Sequence, residues 1–200
     1  VRRLFPPRNP RNIPGLVVSF TSIPTRARTL HLVIDSLLLQ TVLPEKIVLY
    51  LSKSDFPDPS VLQRAAARTG ERFEIRWLDT NFRSYRKLAH ALQDFPGHAI
   101  VTVDDDKIYA AGALQSLVDT AERYPGTIVY RGHSSLLPRD PVTGRRPRAT
   151  KEPSLWNLPV GAGGILYPPG SLAADVTDSE LFLTLSPYAD DLWFKTMALL

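Results

Sequence analysis

Four short apolar runs alternate with helical patterns through the first 130 residues, and that alternation limits the possible folds more than any other feature. Leu16-Val17-Val18-Ser19-Phe20, Ile47–Leu51, Phe73–Leu78 and Ala99–Val103 read as strands, rich in β-branched and aromatic residues. Leu30, Val33, Ile34, Leu37 and Leu38 recur at i, i+3, i+4, i+7 and i+8, which predicts a helix with one apolar face. Ser60 is expected to cap a short helix carrying Val61, Leu62, Ala65 and Ala66. Tyr85, Leu88, Ala89 and Leu92 predict another helix, and Ala113, Leu114, Leu117, Val118 and Ala121 one more; Thr127–Tyr130 predicts a fifth strand. Strands and helices in this order build an α/β fold, a mostly parallel central sheet flanked by helices through right-handed crossovers. Ligands of such sheets bind beyond the carboxyl ends of the strands. The loops after Phe20, Leu51, Leu78 and Val103 should therefore share one rim.

The rhythm breaks outside this region. Residues 1–14 are rich in Pro and Arg, lack a face to bury, and read as an extended arm, leaving 15–200 as a single domain. Residues 133–159 are again rich in Pro and Arg, a long loop of the kind that is functional or mobile. Gly161-Ala162-Gly163-Gly164 then leads into Ile165-Leu166-Tyr167, and Tyr188–Phe194 opens a last helix. A start at Val1 and an end at Leu200 inside a helical pattern are expected of a chain trimmed from a longer protein. The absence of cysteine excludes disulfides and thiolate metal sites. The net charge of +4 suits a polyanionic small molecule but is no nucleic-acid signature. No apolar run approaches the ~18 residues that a spanning helix needs.

Asp104, Asp105 and Asp106 sit at the expected carboxyl end of the fourth strand. Adjacent carboxylates repel one another. A divalent cation relieves that repulsion, and hard oxygen ligands suit Mg²⁺ or Mn²⁺. Mg²⁺ typically takes one or two carboxylates and completes its shell with water and phosphate oxygens. An acidic solvated turn is the plainer reading of the same residues.

An apolar strand, three aspartates and a following helix resemble the Asp-x-Asp region of GT-A glycosyltransferases. Thr21-Ser22-Ile23-Pro24-Thr25-Arg26, the stretch Gln40-Thr41 followed by Pro44-Glu45-Lys46-Ile47, and Arg86-Lys87-Leu88 resemble successive segments of bacterial family-2-like members. Gly161 to Tyr167 resembles their glycine-rich stretch beside the transferred sugar, and Asp190-Asp191 their late acidic pair, which is usually Glu-Asp. The resemblance implies the GT-A (nucleotide-diphospho-sugar transferase) fold over about residues 15–195. It implies a UDP- or GDP-sugar donor, Mn²⁺ or Mg²⁺, a carbohydrate or lipid-linked acceptor, and inversion at the anomeric carbon. It also implies surface-polysaccharide or glycoconjugate synthesis in the cytoplasm, at the inner face of the membrane.

Carried onto this chain, Asp106 would be the direct metal ligand, Asp104 would face ribose and metal, and Asp105 would lie near the donor sugar or be structural. Thr21, Ile23, Arg26, Asp79, Lys87, Gly163 and Gly164 would complete the donor site. Asp191 would be the general base, with Asp190 its rival or an acceptor contact. Each has a plainer reading: Asp190 and Asp191 as helix-capping residues, Lys87 as a solvated lysine, Asp79 as a turn former, and the glycines as a tight turn. Trp156 and Trp193 could stack on a sugar or pack in the core. His133 is the one histidine placed near a strand end, and Arg145, Arg146 and Arg148 could touch acidic lipid. Two rival enzyme classes fit less well. A haloacid-dehalogenase-like site expects Thr or Val where Ile108 stands, and a nucleotidyltransferase expects a glycine-rich first loop, which Thr21–Arg28 is not. A non-catalytic nucleotide- or carbohydrate-binding module on the same scaffold is the remaining alternative.

Overall fold

Main-chain pairing in the computed structural model follows the expected alternation. The structure describes residues 9–131, 133–135, 141, 143 and 152–200. Strands β1 (Arg11–Thr21), β2 (Val42–Ser52), β3 (Phe73–Leu78) and β4 (Ala99–Thr102) pair in parallel. The six-stranded sheet has the order β3-β2-β1-β4-β8-β5, with β8 (Ile165–Tyr167) antiparallel to both β4 and β5 (Val129–Tyr130). A separate hairpin pairs β6 (His133–Ser135) with β7 (Asn157–Pro159).

The sheet is covered on both faces because its strands are apolar on both. Leu16, Val18 and Phe20 of β1 pack with Leu30, Val33, Ile34 and Leu37 of α1 (Leu30–Leu38). Ala65 of α2 (Gln63–Ala66) and Leu114 and Leu117 of α4 (Ala113–Arg123) join that cluster. Val17 faces the other way, into a cluster with Val48, Tyr50 and Leu88 of α3 (Arg86–Asp94). Phe182 of α5 (Ser179–Leu185) and Trp193, Phe194 and Met197 of α6 (Asp190–Met197) complete it. Fully burying one such side chain is worth about 1.5–3 kcal/mol, so β1 alone anchors both layers.

Three local differences from the sequence reading have physical causes. β1 begins at Arg11 rather than Leu16, because residues 11–13 pair with 42–44 across a register shift. Gly15, at φ +73°, absorbs that shift and donates its N–H to Glu45 at 2.8 Å. Asp58, not Ser60, opens the turn before α2: its carboxylate accepts from the Ser60 N–H at 2.9 Å. Trp193 is a core residue whose indole N–H donates to the Val176 carbonyl at 3.0 Å, so it stacks on no sugar. Trp156 is more than half exposed. The expectations for Arg145, Arg146 and Arg148, and for the His133 side chain, lie outside the described residues. Among the described residues no helix is long and apolar enough to cross a membrane.

Candidate active site

β1 and β4 are neighbours, yet the chain leaves them toward opposite ends of the sheet order, β1 toward β2 and β4 toward β8. Open α/β sheets form a crevice at such a switch point, beyond the strand carboxyl ends. A cleft of about 400 Å³ lies there, lined by Thr21, Ser22, Ile23, Arg26, Lys87, Asp104 and Asp105 among others.

The ladder sets the position of the aspartates. The Val103 N–H still donates to the Ser19 carbonyl at 3.0 Å, so Asp104 is the first residue free of the sheet. Its own N–H donates to the Tyr109 hydroxyl oxygen at 2.8 Å, which holds the turn back against the fold. The three carboxylates then take different surroundings. Asp105 is buried and accepts from the Ser22 hydroxyl at 2.5 Å and from the Arg26 guanidinium, so it ties the loop together. Asp106 remains largely in solvent, 3.1 Å from Arg26. Asp104 turns toward Lys87, whose ammonium lies 3.0 Å from Oδ1.

Lys87 is the centre of the constellation. Its position is fixed through its backbone carbonyl, which accepts from the Ser19 hydroxyl on β1. The buried ammonium also lies 4.0 Å from Asp190. Burial disfavours its charge, but Asp104, then Asp190 and Asp191, outweigh that penalty, and the pKa is raised above the ordinary lysine value. The solvated-lysine reading therefore fails.

Asp190 and Asp191 open α6, but the helix takes no side-chain cap. Asp191 instead accepts a hydrogen bond from the Gly161 N–H. Burial first, and repulsion from Asp190 second, push its pKa up to about 6 against the pull of Lys87. A carboxyl group titrating there can exchange a proton near neutral pH. Asp191 borders a second cavity of about 660 Å³, lined also by Tyr130, Tyr167, Phe194 and Lys195.

The remaining expected residues fall both inside and outside the cleft. Asp79 is exposed, pairs with Lys53 at 2.7 Å, and is not among the cleft residues. Gly164 lies at φ +100°, and an added Cβ would press on Leu117 at 3.2 Å, so it shapes the entry to β8. Gly161 is the glycine at the site: a Cβ there would stand 3.1 Å from Lys87 Nζ and 3.2 Å from Asp104 Oδ1. Thr21 lines the cleft while its hydroxyl donates to the Tyr50 carbonyl at 2.8 Å, joining the ends of β1 and β2. Ile23 lines it too, nearly half exposed. Sequence reasoning missed Asp55, which joins the cleft by pairing with the fully buried Arg86 at 2.9 Å. Its only signal was its place in a loop at the shared rim.

The residues at the cleft suit a divalent cation. Asp105 and Asp106 pair with Arg26, Asp104 and Asp190 pair with Lys87, and Asp191 feels the charge of Lys87. No three acidic or imidazole side chains among the described residues converge into a complete cage. A cation completed by water and phosphate oxygens needs only one or two carboxylates, which Asp104 and Asp106 can supply.

The family model for glycosyl transferase family 2 matches residues 21–157, more than half of the chain. No curated protein sequence matches. S. aureus TarS (residues 1–349) superposes with a TM-score of 0.56 at 13% identity, over 94% of this chain and 55% of that one. A 4-diphosphocytidyl-2C-methyl-D-erythritol synthase from Anaerococcus prevotii gives 0.51 at 11% identity, over 93% and 81%. The mannosyltransferase PcManGT from Pyrobaculum calidifontis, in complex with GDP-Man and Mn²⁺, gives 0.49 at 15% identity, over 89% and 47%. At these identities the likeness is one of fold, and the chain spans about half the length of the TarS and PcManGT structures. The matched stretch carries the first loop, Lys87 and the three aspartates, and on it the chain belongs to glycosyl transferase family 2, with the GT-A fold.

Proposed function

We propose that this chain is the donor-binding and catalytic core of a glycosyltransferase that moves a sugar from a UDP- or GDP-sugar to an acceptor hydroxyl, with inversion. The observation that carries the reading is the convergence of Asp104, Asp190 and Asp191 on the buried Lys87 ammonium beside the switch-point cleft, with one of these carboxylates tuned to about 6. The donor diphosphate would occupy the cleft lined by Thr21, Ile23, Arg26 and Lys87. Asp106 and Asp104 would hold Mn²⁺ or Mg²⁺, which supplies charge neutralisation to the departing diphosphate. Lys87 would keep a fixed positive charge beside Asp104, and Arg26 would hold Asp105 and Asp106 in place. Asp191, which lines the second cavity, would take the acceptor hydroxyl proton as the oxygen attacks the anomeric carbon. Inversion would then come from direct displacement, for which a single carboxylate base suffices.

The acceptor would enter from the cavity walled by Tyr130, Tyr167 and Phe194, whose aromatic faces suit a carbohydrate or lipid-linked substrate. Its place in polysaccharide or glycoconjugate synthesis, and work at the cytoplasmic face of a membrane, belong to the same proposal.

Turnover of UDP- and GDP-sugars with Mn²⁺, followed by release of the nucleoside diphosphate, tests the reading. Release by the wild type, and its loss in Asp191→Asn with donor binding kept, supports it. Donor binding with no turnover under any acceptor would favour the non-catalytic module.

A further inference from the structure

Four cations line the donor cleft: Arg26, Arg83, Arg86 and Lys87. Three of them are matched by carboxylates. Arg26 pairs with Asp105 and Asp106, Arg86 with Asp55, and Lys87 with Asp104. Arg83 has no carboxylate partner among the described residues. Its guanidinium lies over the Tyr188 ring, 4.4 Å from the centroid, and donates to the Pro187 carbonyl at 3.3 Å.

Its backbone is unusual as well. Among the described residues Arg83 is the one non-glycine with positive φ, at 52°. A left-handed conformation costs a residue with a side chain, and such outliers concentrate at ligand clamps and switch regions. Asn81 stabilises the turn by accepting the Arg83 N–H at 3.1 Å. Arg83 is exposed, and the residue lines the cleft while its guanidinium rests on Tyr188.

The contacts of this turn lead to the acidic pair. Tyr85 donates its hydroxyl to the Ser186 carbonyl at 2.5 Å, and its ring stacks on Phe182 at 4.2 Å. The 83–85 turn thus grips residues 186–188, and α6 begins two residues later with Asp190 and Asp191. Tyr188 itself is 79% exposed, so its ring offers the cation a weak, wet seat.

We propose that Arg83 is the donor-phosphate latch of the site. A diphosphate in the cleft draws the guanidinium from Tyr188 and Pro187, because a charge-assisted contact with phosphate is stronger than an exposed cation–π contact. That exchange loosens the grip on residues 187–188 and couples donor occupancy to the rim beside Asp190 and Asp191. The inference rests on the donor reading above. Arg83 is then a positioning residue for the base segment and a direct contact for the donor.

The test titrates the nucleoside diphosphate (UDP, then GDP) and the matching nucleoside into wild type, Arg83→Gly, Arg83→Lys and Tyr188→Ala, with Mn²⁺ present. Glycine accepts φ 52° without strain, so Arg83→Gly should melt no lower than the wild type. It should bind the diphosphate about tenfold more weakly and the nucleoside unchanged, as loss of one phosphate contact requires. Arg83→Lys should retain part of the diphosphate affinity, and Tyr188→Ala should bind it at least as tightly as the wild type. The proposal is overturned if Arg83→Gly keeps wild-type diphosphate affinity, if nucleoside affinity falls in parallel, or if Tyr188→Ala weakens binding as much as Arg83→Gly. A wild type that binds neither diphosphate brings down the donor reading itself, and the latch with it.

Discussion

Exchanging Gly161 and Gly164 for alanine, one at a time, separates a residue of the site from a residue of the fold. At Gly164 the backbone lies at φ +100° and ψ 138°, outside the regions open to alanine, and the new methyl would press on Leu117 at 3.2 Å. Such strain costs about 2 kcal/mol. For a domain of this size that lowers Tm by roughly 4–8 °C. Gly161 has no positive φ, so its backbone accepts alanine. Its methyl would instead stand 3.1 Å from Lys87 Nζ and 3.2 Å from Asp104 Oδ1, closer than ordinary contact. The pair must open by a few tenths of an ångström, which weakens a charge-assisted hydrogen bond worth about 1.5–3 kcal/mol. Losing half of that lowers nucleoside diphosphate affinity by roughly 4- to 13-fold. Thermal unfolding and calorimetric titration of UDP or GDP with Mn²⁺ read the two effects. Gly161→Ala melting as low as Gly164→Ala while binding nucleotide as the wild type does would overturn this assignment.

Four further outcomes follow from the same geometry. Asp191→Asn should lower kcat by about 10²–10⁴-fold with little change in donor KM, measured in steady state. Because Asp191 must be ionised to accept a proton, wild-type kcat should rise as pH passes about 6 and level off above it. The stability linkage has the opposite slope: with the folded value raised from 3.8 to about 6, the contribution of this group is greatest below the unfolded value and is lost as pH rises through that window. Urea unfolding across pH 4–7 should show that loss in the wild type and not in Asp191→Asn. Lys87→Met leaves Asp104, Asp190 and Asp191 without their buried cation and should destabilise by about 3–5 kcal/mol in the same assay.

The sheet was legible because its strands are apolar on both faces and its helices are not. Leu16, Val18 and Phe20 could only be buried, and the 3.6-residue spacing in α1 left one solution. The start of β1 was hidden because Pro14-Gly15 reads as a breaker, whereas Gly15 serves as the hinge of a register shift. Gln40 carried a family signal whose cause is structural: its amide donates to the Ser36 and Ala110 carbonyls, both at 2.9 Å, and accepts from Leu114 at 3.0 Å. The aspartates were legible from their place after an apolar strand. How their three carboxylates divide between a buried tie and the solvent-facing rim was not, since it depends on Ser22 and Arg26 arriving from another loop. Gly161 and Gly164 look alike in sequence and differ only in φ and in what lies across from them. Arg83 and Tyr188 are far apart in the chain, and neither carries a pattern that announces the other.

The proposed role of the cleft is to bind a nucleoside diphosphate together with a divalent cation held by Asp104 and Asp106. Titrating UDP and GDP with and without Mn²⁺ into the wild type and Asp106→Ala measures it directly. The expected result is binding of one nucleotide that requires the metal and is lost in Asp106→Ala, with the variant still folded. Nucleotide binding that is indifferent to Mn²⁺ and to Asp106, or no binding by a folded wild type, would contradict it.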